Sequence, residues 1–155
     1  MNIDILSRKK RKEIHQYLKD NFDITLDFPH YFIQTAKEKI RLFTGEISET
    51  ELSILKHIVR IENLGLYFSF FKDQEYRFNF DFATAFGNLA KKNILELNEE
   101  QTLLWMQGKN LDLNKETDSN IIFIKYNDNI LGVGKISNGR IWNFVPKERR
   151  TNFIN

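Results

Sequence analysis

Apolar positions in the first part of the chain recur with two periods, one typical of helices and the other typical of strands. After Ser7, a residue type preferred at helix N-termini, apolar residues follow at helical spacing. Tyr76, Phe78 and Phe80 instead alternate with polar residues, which indicates a strand with one buried face, and Asp81 is the expected cap of a further helix. The pattern predicts helices over 7–20, 48–60 and 81–92, and strands over 23–28, 31–35, 39–44, 64–71 and 76–80.

The second of these helices begins at a capping box. Ser48 and Glu51 have the spacing at which a hydroxyl and a carboxylate each satisfy a backbone N–H group of the other residue. Leu52, Leu55 and Val59 follow on one face of the helix.

The remainder of the chain predicts a helix followed by a three-stranded meander. Asn98 and Gln101 have capping spacing, and Gly108 stands just after the helix, where a left-handed residue commonly ends it. Pro146 lacks the N–H group that a continuing strand needs. The second unit starts at residues 95–97, and the pattern predicts a helix over 99–107, a polar loop over 109–119, and strands over 121–126, 130–136 and 140–145.

The alternation of helices and strands predicts an α+β fold. Composition shifts near residues 91–94, and no flexible linker marks the shift. We therefore predict one unit over residues 1–93 and a second over residues 94–155, packed closely against each other.

Composition is that of a folded protein. The chain has 155 residues, of which 41% are hydrophobic and 28% are charged, and its 14 Phe and 5 Tyr predict an aromatic core. The absence of cysteine excludes disulfides, a thiol nucleophile and a cysteine-based metal site, and it agrees with a cytoplasmic location. No apolar run reaches the length of a membrane span, and the charge order at the start does not match a secretory signal.

Positive charge is concentrated near the end of the chain. The net charge is only +2, and residues 1–90 carry equal numbers of basic and acidic side chains. Residues 125–155 carry six basic and two acidic side chains, a local charge of +4 that favours a polyanion. A denser basic run, Arg8–Lys12, has two interpretations, a second nucleic-acid patch or a solvated helix face.

Residues at fixed positions in the meander and in the helix before it carry a family likeness. They are Trp105-Met106-Gln107-Gly108-Lys109, then Leu131-Gly132-Val133-Gly134-Lys135, then Asn143, Pro146, Lys147 and Arg150. In this order and spacing they resemble the PUA-like domain of rRNA cytosine methyltransferases of the RsmF (NOL/NOP/Sun) type. The likeness covers about residues 94–151. It departs from the family at Val133, where an aromatic residue is usual, and at Trp142, just before Asn143.

The resemblance implies a small PUA-like mixed β-barrel. The α+β unit before it looks like the pre-PUA half of archaeal and eukaryotic ribosome-biogenesis proteins. The implied function is that of a stand-alone RNA-binding protein without the methyltransferase domain. Its expected partners are structured RNA, either rRNA or tRNA, and ribosome-assembly or RNA-modification proteins, with no membrane partner.

The predicted RNA contacts are basic, amide and aromatic side chains of the second unit: Lys109, Lys135, Arg140, Trp142, Asn143, Lys147, Arg149 and Arg150. Basic side chains give salt-sensitive contacts with phosphates. Trp142 is either a stacking surface for an unpaired base or a core residue, whereas Trp105 is expected in the core. Gly132 and Gly134, two residues apart in one strand, either let RNA approach or pack against the helix that ends at Gly108.

The sequence offers no catalytic residues, no metal site and no cofactor motif. It has no GxGxxG or GxxxxGK[ST] segment, and His15, His30 and His57 have no metal-ligand spacing. We interpret the three histidines as unrelated groups. The first hypothesis is therefore a non-catalytic RNA-binding protein in rRNA or tRNA maturation or ribosome assembly. Two alternatives stay open: an accessory subunit of an RNA-modifying enzyme, and a protein-interaction module on ribosome-assembly factors.

Overall fold

The computed structural model describes residues 3–112 and 116–152 and has the α+β fold that the sequence predicts. Within these residues the α-helices are α1 (Arg8–Phe22), α2 (Glu49–Ile58), α3 (Phe80–Phe86) and α4 (Glu99–Met106). The Ser7 cap of α1 is confirmed, and both predicted capping boxes are present, at Ser48 with Glu51 and at Asn98 with Gln101. Helix starts follow from local chemistry, which explains why the sequence locates them well.

The first sheet is antiparallel throughout. Its strands are β1 (Asp4–Ile5), β2 (Tyr31–Ala36), β3 (Lys39–Phe43), β4 (Leu66–Lys72) and β5 (Glu75–Phe78). They lie side by side in chain order. Each strand therefore pairs with its neighbour in sequence, as in a meander.

The second sheet is mixed. Its strands are β6 (Ile94–Glu96), β7 (Leu111–Asp112), β8 (Ile121–Tyr126), β9 (Asn129–Ser137) and β10 (Arg140–Asn143). The spatial order is β6-β8-β9-β10-β7, with β6 parallel to β8 and the other pairs antiparallel. This sheet contains the predicted three-stranded meander at its centre and carries four of the eight candidate site residues, Lys135, Arg140, Trp142 and Asn143.

The strand predicted over 23–28 is wrong. Asp23 adopts a left-handed conformation with φ of 52° and ends α1, since its N–H group donates to the carbonyls of Leu18 and Lys19. The following residues cross the core without sheet pairing, although Ile24 and Leu26 are buried. The alternating pattern reported burial on one side correctly, but burial on one side does not require a ladder of hydrogen bonds.

The region around Phe80 also differs from the prediction. Phe80 begins α3 instead of ending a strand, and the cap is Asn79, whose Oδ1 accepts a hydrogen bond from Asp81 N at 2.9 Å. The helix predicted over 81–92 ends at Phe86 and continues only as a short 3-10 helix. An asparagine and an aspartate two residues apart are nearly equivalent caps, so the local sequence does not decide between them.

Two smaller predictions also fail. The helix predicted over 48–60 ends at Ile58, so Val59 lies beyond it and is exposed. In the predicted loop over 109–119, Leu111 is buried and pairs with Ile141 to form β7. Part of that loop, residues 113–115, lies outside the described residues.

One aromatic core joins the two sheets. Phe22 of α1 has its ring centroid 5.1 Å from Phe123 of β8, and Phe78 of β5 lies 5.6 Å from the same ring. All three side chains are buried within one hydrophobic cluster. The boundary between residues 93 and 94 stays a prediction, but the packing between the parts on either side of it is apolar and direct.

Trp105 is the centre of a second cluster, between α4 and the second sheet. Its side chain is fully buried, as predicted, and Nε1 donates to the carbonyl of Leu131 at 2.9 Å. A Cβ atom on Gly134 would lie 2.9 Å from the Trp105 ring, and one on Gly132 would lie 3.1 Å from Phe80. The glycine pair therefore lets other segments of this chain pack against β9.

The helices of the described residues do not cross membranes. The longest, α1, has 15 residues, and none combines the length and the apolar character that a bilayer span requires.

Candidate nucleic-acid interface

The outward side of β10 presents an aromatic ring between two basic side chains. Ile141 points inward and is fully buried, so its neighbours Arg140 and Trp142 point outward. The Trp142 side chain is 45% exposed, and the Arg140 guanidinium lies 5.9 Å from its ring centroid. Lys135 of β9 is the register partner of Trp142 and therefore lies on the same side. The strand alternation thus brings three predicted site residues together.

Carboxylates hold three of the candidate cations. Lys135 Nζ lies 2.8 Å from Glu75 Oε2, and Arg140 Nε lies 2.8 Å from Asp112 Oδ1. Arg149 Nη2 lies 3.1 Å from Asp81 Oδ1, so this arginine reaches from the end of the chain to α3. The pairs of Arg140 and Arg149 are exposed, and exposed pairs contribute only about 0–1 kcal/mol each. In the free protein these pairs keep the cations in position. A phosphate can replace the carboxylates at a small cost in free energy.

The Lys135–Glu75 pair is the least exposed of the three. The Glu75 side chain is 14% exposed, and its carboxylate also lies 3.7 Å from Arg77 Nε. Tyr17 is a further neighbour: burial raises the pKa of the Tyr17 hydroxyl to about 12, and the charge of Glu75 contributes to the same shift. Glu75 thus connects the first sheet with the second.

Arg77 and Phe144 belong to this surface but were not among the predicted site residues. The Arg77 guanidinium lies 5.8 Å from the Phe144 ring centroid, at the border with Glu75 and Lys135. The only signal in the sequence was the place of Arg77 on the polar side of an alternating segment. Its proximity to β9 arises from packing between residues far apart in sequence, which the local pattern does not contain.

Lys109 and Arg150 meet at the C-terminal end of α4. Gly108 has φ of 83°, and a Cβ atom on it would collide with Arg150, so the arginine lies directly across the helix end. Arg150 Nε donates to the carbonyl of Val145 at 3.0 Å. The Lys109 side chain is exposed, as is that of Lys147. The Arg150 side chain is therefore held by contacts within the chain, whereas the side chains of Lys109 and Lys147 are open to solvent.

Asn143 is surrounded by hydrogen-bond partners from its own chain. Its Nδ2 donates to the carbonyls of Trp105 at 2.7 Å and Lys109 at 3.1 Å, and its Oδ1 accepts from Val145 N at 2.8 Å. Both amide hydrogens are therefore in use. The geometry gives Asn143 a structural role, that of joining the end of β10 to the end of α4.

Replacing Asn143 with alanine is expected to lower the free energy of unfolding by about 1–3 kcal/mol, because two backbone carbonyls and one N–H group lose their partner. Urea unfolding monitored by circular dichroism measures this change. The exposed Asn152, replaced in the same way, serves as the control. An equal midpoint for the Asn143 variant and the wild type would contradict the structural role.

His15 and His30 form a contacting pair, so the interpretation of the histidines as unrelated groups is wrong for these two. Their Nε2 atoms lie 3.2 Å apart, and His30 Nδ1 lies 2.6 Å from the carbonyl oxygen of Phe28. Burial lowers the pKa of His15, and the charges of His30 and Arg11 lower it further. Among the described residues no three histidine, aspartate or glutamate side chains are grouped to hold a metal ion.

Comparison with known proteins shows that the segment containing the second sheet is similar to a described family. Residues 92–151 match the family described as the methyltransferase RsmF PUA domain. The chain is 27% identical over 147 residues to ribosomal RNA small subunit methyltransferase F of Vibrio campbellii, which is 92% of this chain and 30% of that protein. The protein of the same name from Psychromonas ingrahamii is 25% identical over 147 residues, 92% of this chain and 29% of that protein.

A third relative with the same name, from Aeromonas salmonicida, is 24% identical over 90 residues, 58% of this chain and 19% of that protein. The chain thus spans less than a third of the length of these curated relatives. Because the two longer alignments cover 147 residues, they include most of the first sheet as well as the segment that matches the family.

Proposed function

We propose, from the premise that residues 92–151 are a PUA domain of the RsmF type, that this chain binds structured ribosomal RNA without catalysing a reaction itself. The outward face of β10 is the observation that carries the proposal. A half-exposed Trp142 between Arg140 and Lys135 offers a ring for an unpaired base and cations for the adjoining phosphates.

The binding mode follows from the charges of this face. Lys109 and Lys147 are exposed, and Arg140 and Arg149 are held by exposed carboxylates. RNA phosphates take the place of those carboxylates, while the exposed lysines add further contacts. Affinity then depends strongly on salt and weakly on sequence, with specificity supplied by RNA shape and by the base on Trp142.

The chain contributes RNA binding, and methyl transfer takes place elsewhere. The relatives are named as methyltransferases of small-subunit rRNA, and this chain aligns with less than a third of their length. We place its action in the cytoplasm, in rRNA modification or ribosome assembly. The related proposal of an accessory subunit rests on the same alignment, because a separate catalytic protein would then supply the active site.

The test compares two double variants of equal charge. Arg140→Gln/Lys147→Gln is expected to bind a fluorescently labelled helical fragment of small-subunit rRNA more weakly than the wild type. Because this variant cannot neutralise two of the phosphates, the fall in affinity between 50 and 200 mM salt should become about tenfold smaller. Fluorescence anisotropy titrations at several salt concentrations measure both quantities.

The control variant, Lys37→Gln/Arg60→Gln, removes one lysine and one arginine from connections of the first sheet. It should reproduce the wild-type salt dependence. Equal behaviour of the two double variants would contradict the proposed face, and methyl transfer from S-adenosylmethionine to rRNA by the purified chain alone would contradict the non-catalytic part of the proposal.

A further inference from the structure

An open basic cavity lies on the first part of the chain, between α1 and the segment that leads to β2. It has a volume of about 520 Å³. The polar side chains that line it are Lys12, His15, Gln16, Lys19, Thr25 and His30. None of these described residues is acidic, although the cavity lies on a part of the chain with balanced charge.

The structure separates the basic run at the start of α1 into residues with different surroundings. Arg11 turns away to Glu49, with its Nη1 2.6 Å from Glu49 Oε1. Lys10 lines a different cavity together with Glu13. Lys12 alone of the three faces the cavity with the two histidines. The run is therefore not one uniform charged surface.

The spacing along α1 aligns further positive charge with this cavity. Lys12, His15 and Lys19 are separated by three and four residues, which places them on one side of the helix. The buried residues Ile14 and Leu18 occupy the adjoining side of the helix, which faces the core. A row of basic groups along one helix face follows the phosphates of a nucleic-acid strand.

The two histidine rings face each other through their Nε2 atoms. His30 Nδ1 donates to the carbonyl of Phe28, which leaves Nε2 of the neutral ring as an acceptor for His15. A second proton would place two donors 3.2 Å apart, with Arg11, Lys12 and Lys19 on the same helix. Of the nearby carboxylates, Asp20 accepts from Gln16, Asp23 pairs with Lys19, and Glu49 pairs with Arg11.

We infer that this cavity is a second contact site for RNA, in which Lys12, His15 and His30 bind a phosphate of the backbone. The inference rests on the proposed function and extends it to the first sheet. A phosphate supplies the negative charge that the cavity lacks, and Gln16 and Thr25 are polar neighbours in the same lining.

Proton uptake accompanies binding at this site. The phosphate stabilises the protonated form of His15, so bound RNA raises the proton affinity of His15. By linkage, RNA affinity increases as the pH falls from about 7.5 to 5.5 through the usual range of histidine. In the free protein the surroundings of His15 lower its pKa, whereas a bound phosphate raises it.

The experiment compares Lys12→Gln with Lys10→Gln, which removes the same charge on the same helix next to Glu13. The affinity of each variant for the labelled rRNA fragment is measured at 50 and 200 mM salt. The fall in affinity over this range is expected to be about threefold smaller for Lys12→Gln than for Lys10→Gln. His15→Gln is expected to remove most of the increase in affinity between pH 7.5 and 5.5. Circular dichroism confirms that each variant is folded.

Three outcomes would overturn the inference. Equal salt dependence of the Lys12 and Lys10 variants would do so, as would an unchanged pH dependence in His15→Gln. If these occur while Arg140→Gln/Lys147→Gln still weakens binding, the second site fails and the proposed function stands. If the wild type does not bind the rRNA fragment at all, both are overturned together.

Discussion

Replacing Trp105 with alanine is expected to lower the free energy of unfolding by about 3–5 kcal/mol. The side chain is fully buried between α4 and the second sheet, and it approaches Gly134 so closely that a Cβ atom there would lie 2.9 Å from the ring. A rigid sheet cannot close around the space that the ring leaves, so a cavity remains. The Leu131 carbonyl also loses the hydrogen bond from Nε1.

Urea unfolding monitored by far-ultraviolet circular dichroism measures the change, provided that the slope with denaturant stays constant. Trp142→Ala is the matched control, since it removes the same side chain from an exposed position. It should change the free energy of unfolding by less than about 1 kcal/mol. Comparable losses in the two variants would mean that Trp105 does not organise this cluster.

Replacing Trp142 with alanine is expected to weaken RNA binding by roughly 5- to 150-fold, which corresponds to about 1–3 kcal/mol for one stacked base. Trp142→Phe retains an aromatic face and should recover part of the affinity. Because the chain has 2 Trp, a Trp105→Phe variant leaves Trp142 as the single tryptophan. Its fluorescence should be quenched when the rRNA fragment binds.

Leu103→Ala is the control for loss of exposed apolar area, because Leu103 of α4 is exposed to the same extent, 45%. Its RNA affinity should match that of the wild type. If the two variants lose affinity equally, or if the Trp142 fluorescence is unaffected by RNA, stacking on β10 is excluded.

The sequence predicted those features that depend on neighbouring residues. Both capping boxes and the left-handed Gly108 require only a few adjacent residues, and they are present. The burial of Trp105 was also predicted, because aromatic residues of small domains usually lie in the core. The strand over 23–28 failed because alternation of Ile24 and Leu26 reports burial and not hydrogen bonding.

The surroundings of the candidate site could not be predicted in the same way. Lys135 and Glu75 are 60 residues apart in sequence, and Arg149 and Asp81 are 68 apart. Nothing near either cation in the sequence indicates its carboxylate. The bonding of Asn143 likewise depends on where α4 ends relative to β10, which is a property of the folded chain. Local patterns thus identified candidate residues but not their partners.

The shared aromatic core limits how the segment that matches the family can be moved between proteins. Phe123 of the second sheet packs against Phe22 and Phe78, which precede the segment that matches the family. A fusion that transplanted residues 92–151 alone would carry an uncovered aromatic surface into its new host. A fusion therefore has to include the first sheet as well as the segment that matches the family, because the first sheet covers this aromatic surface.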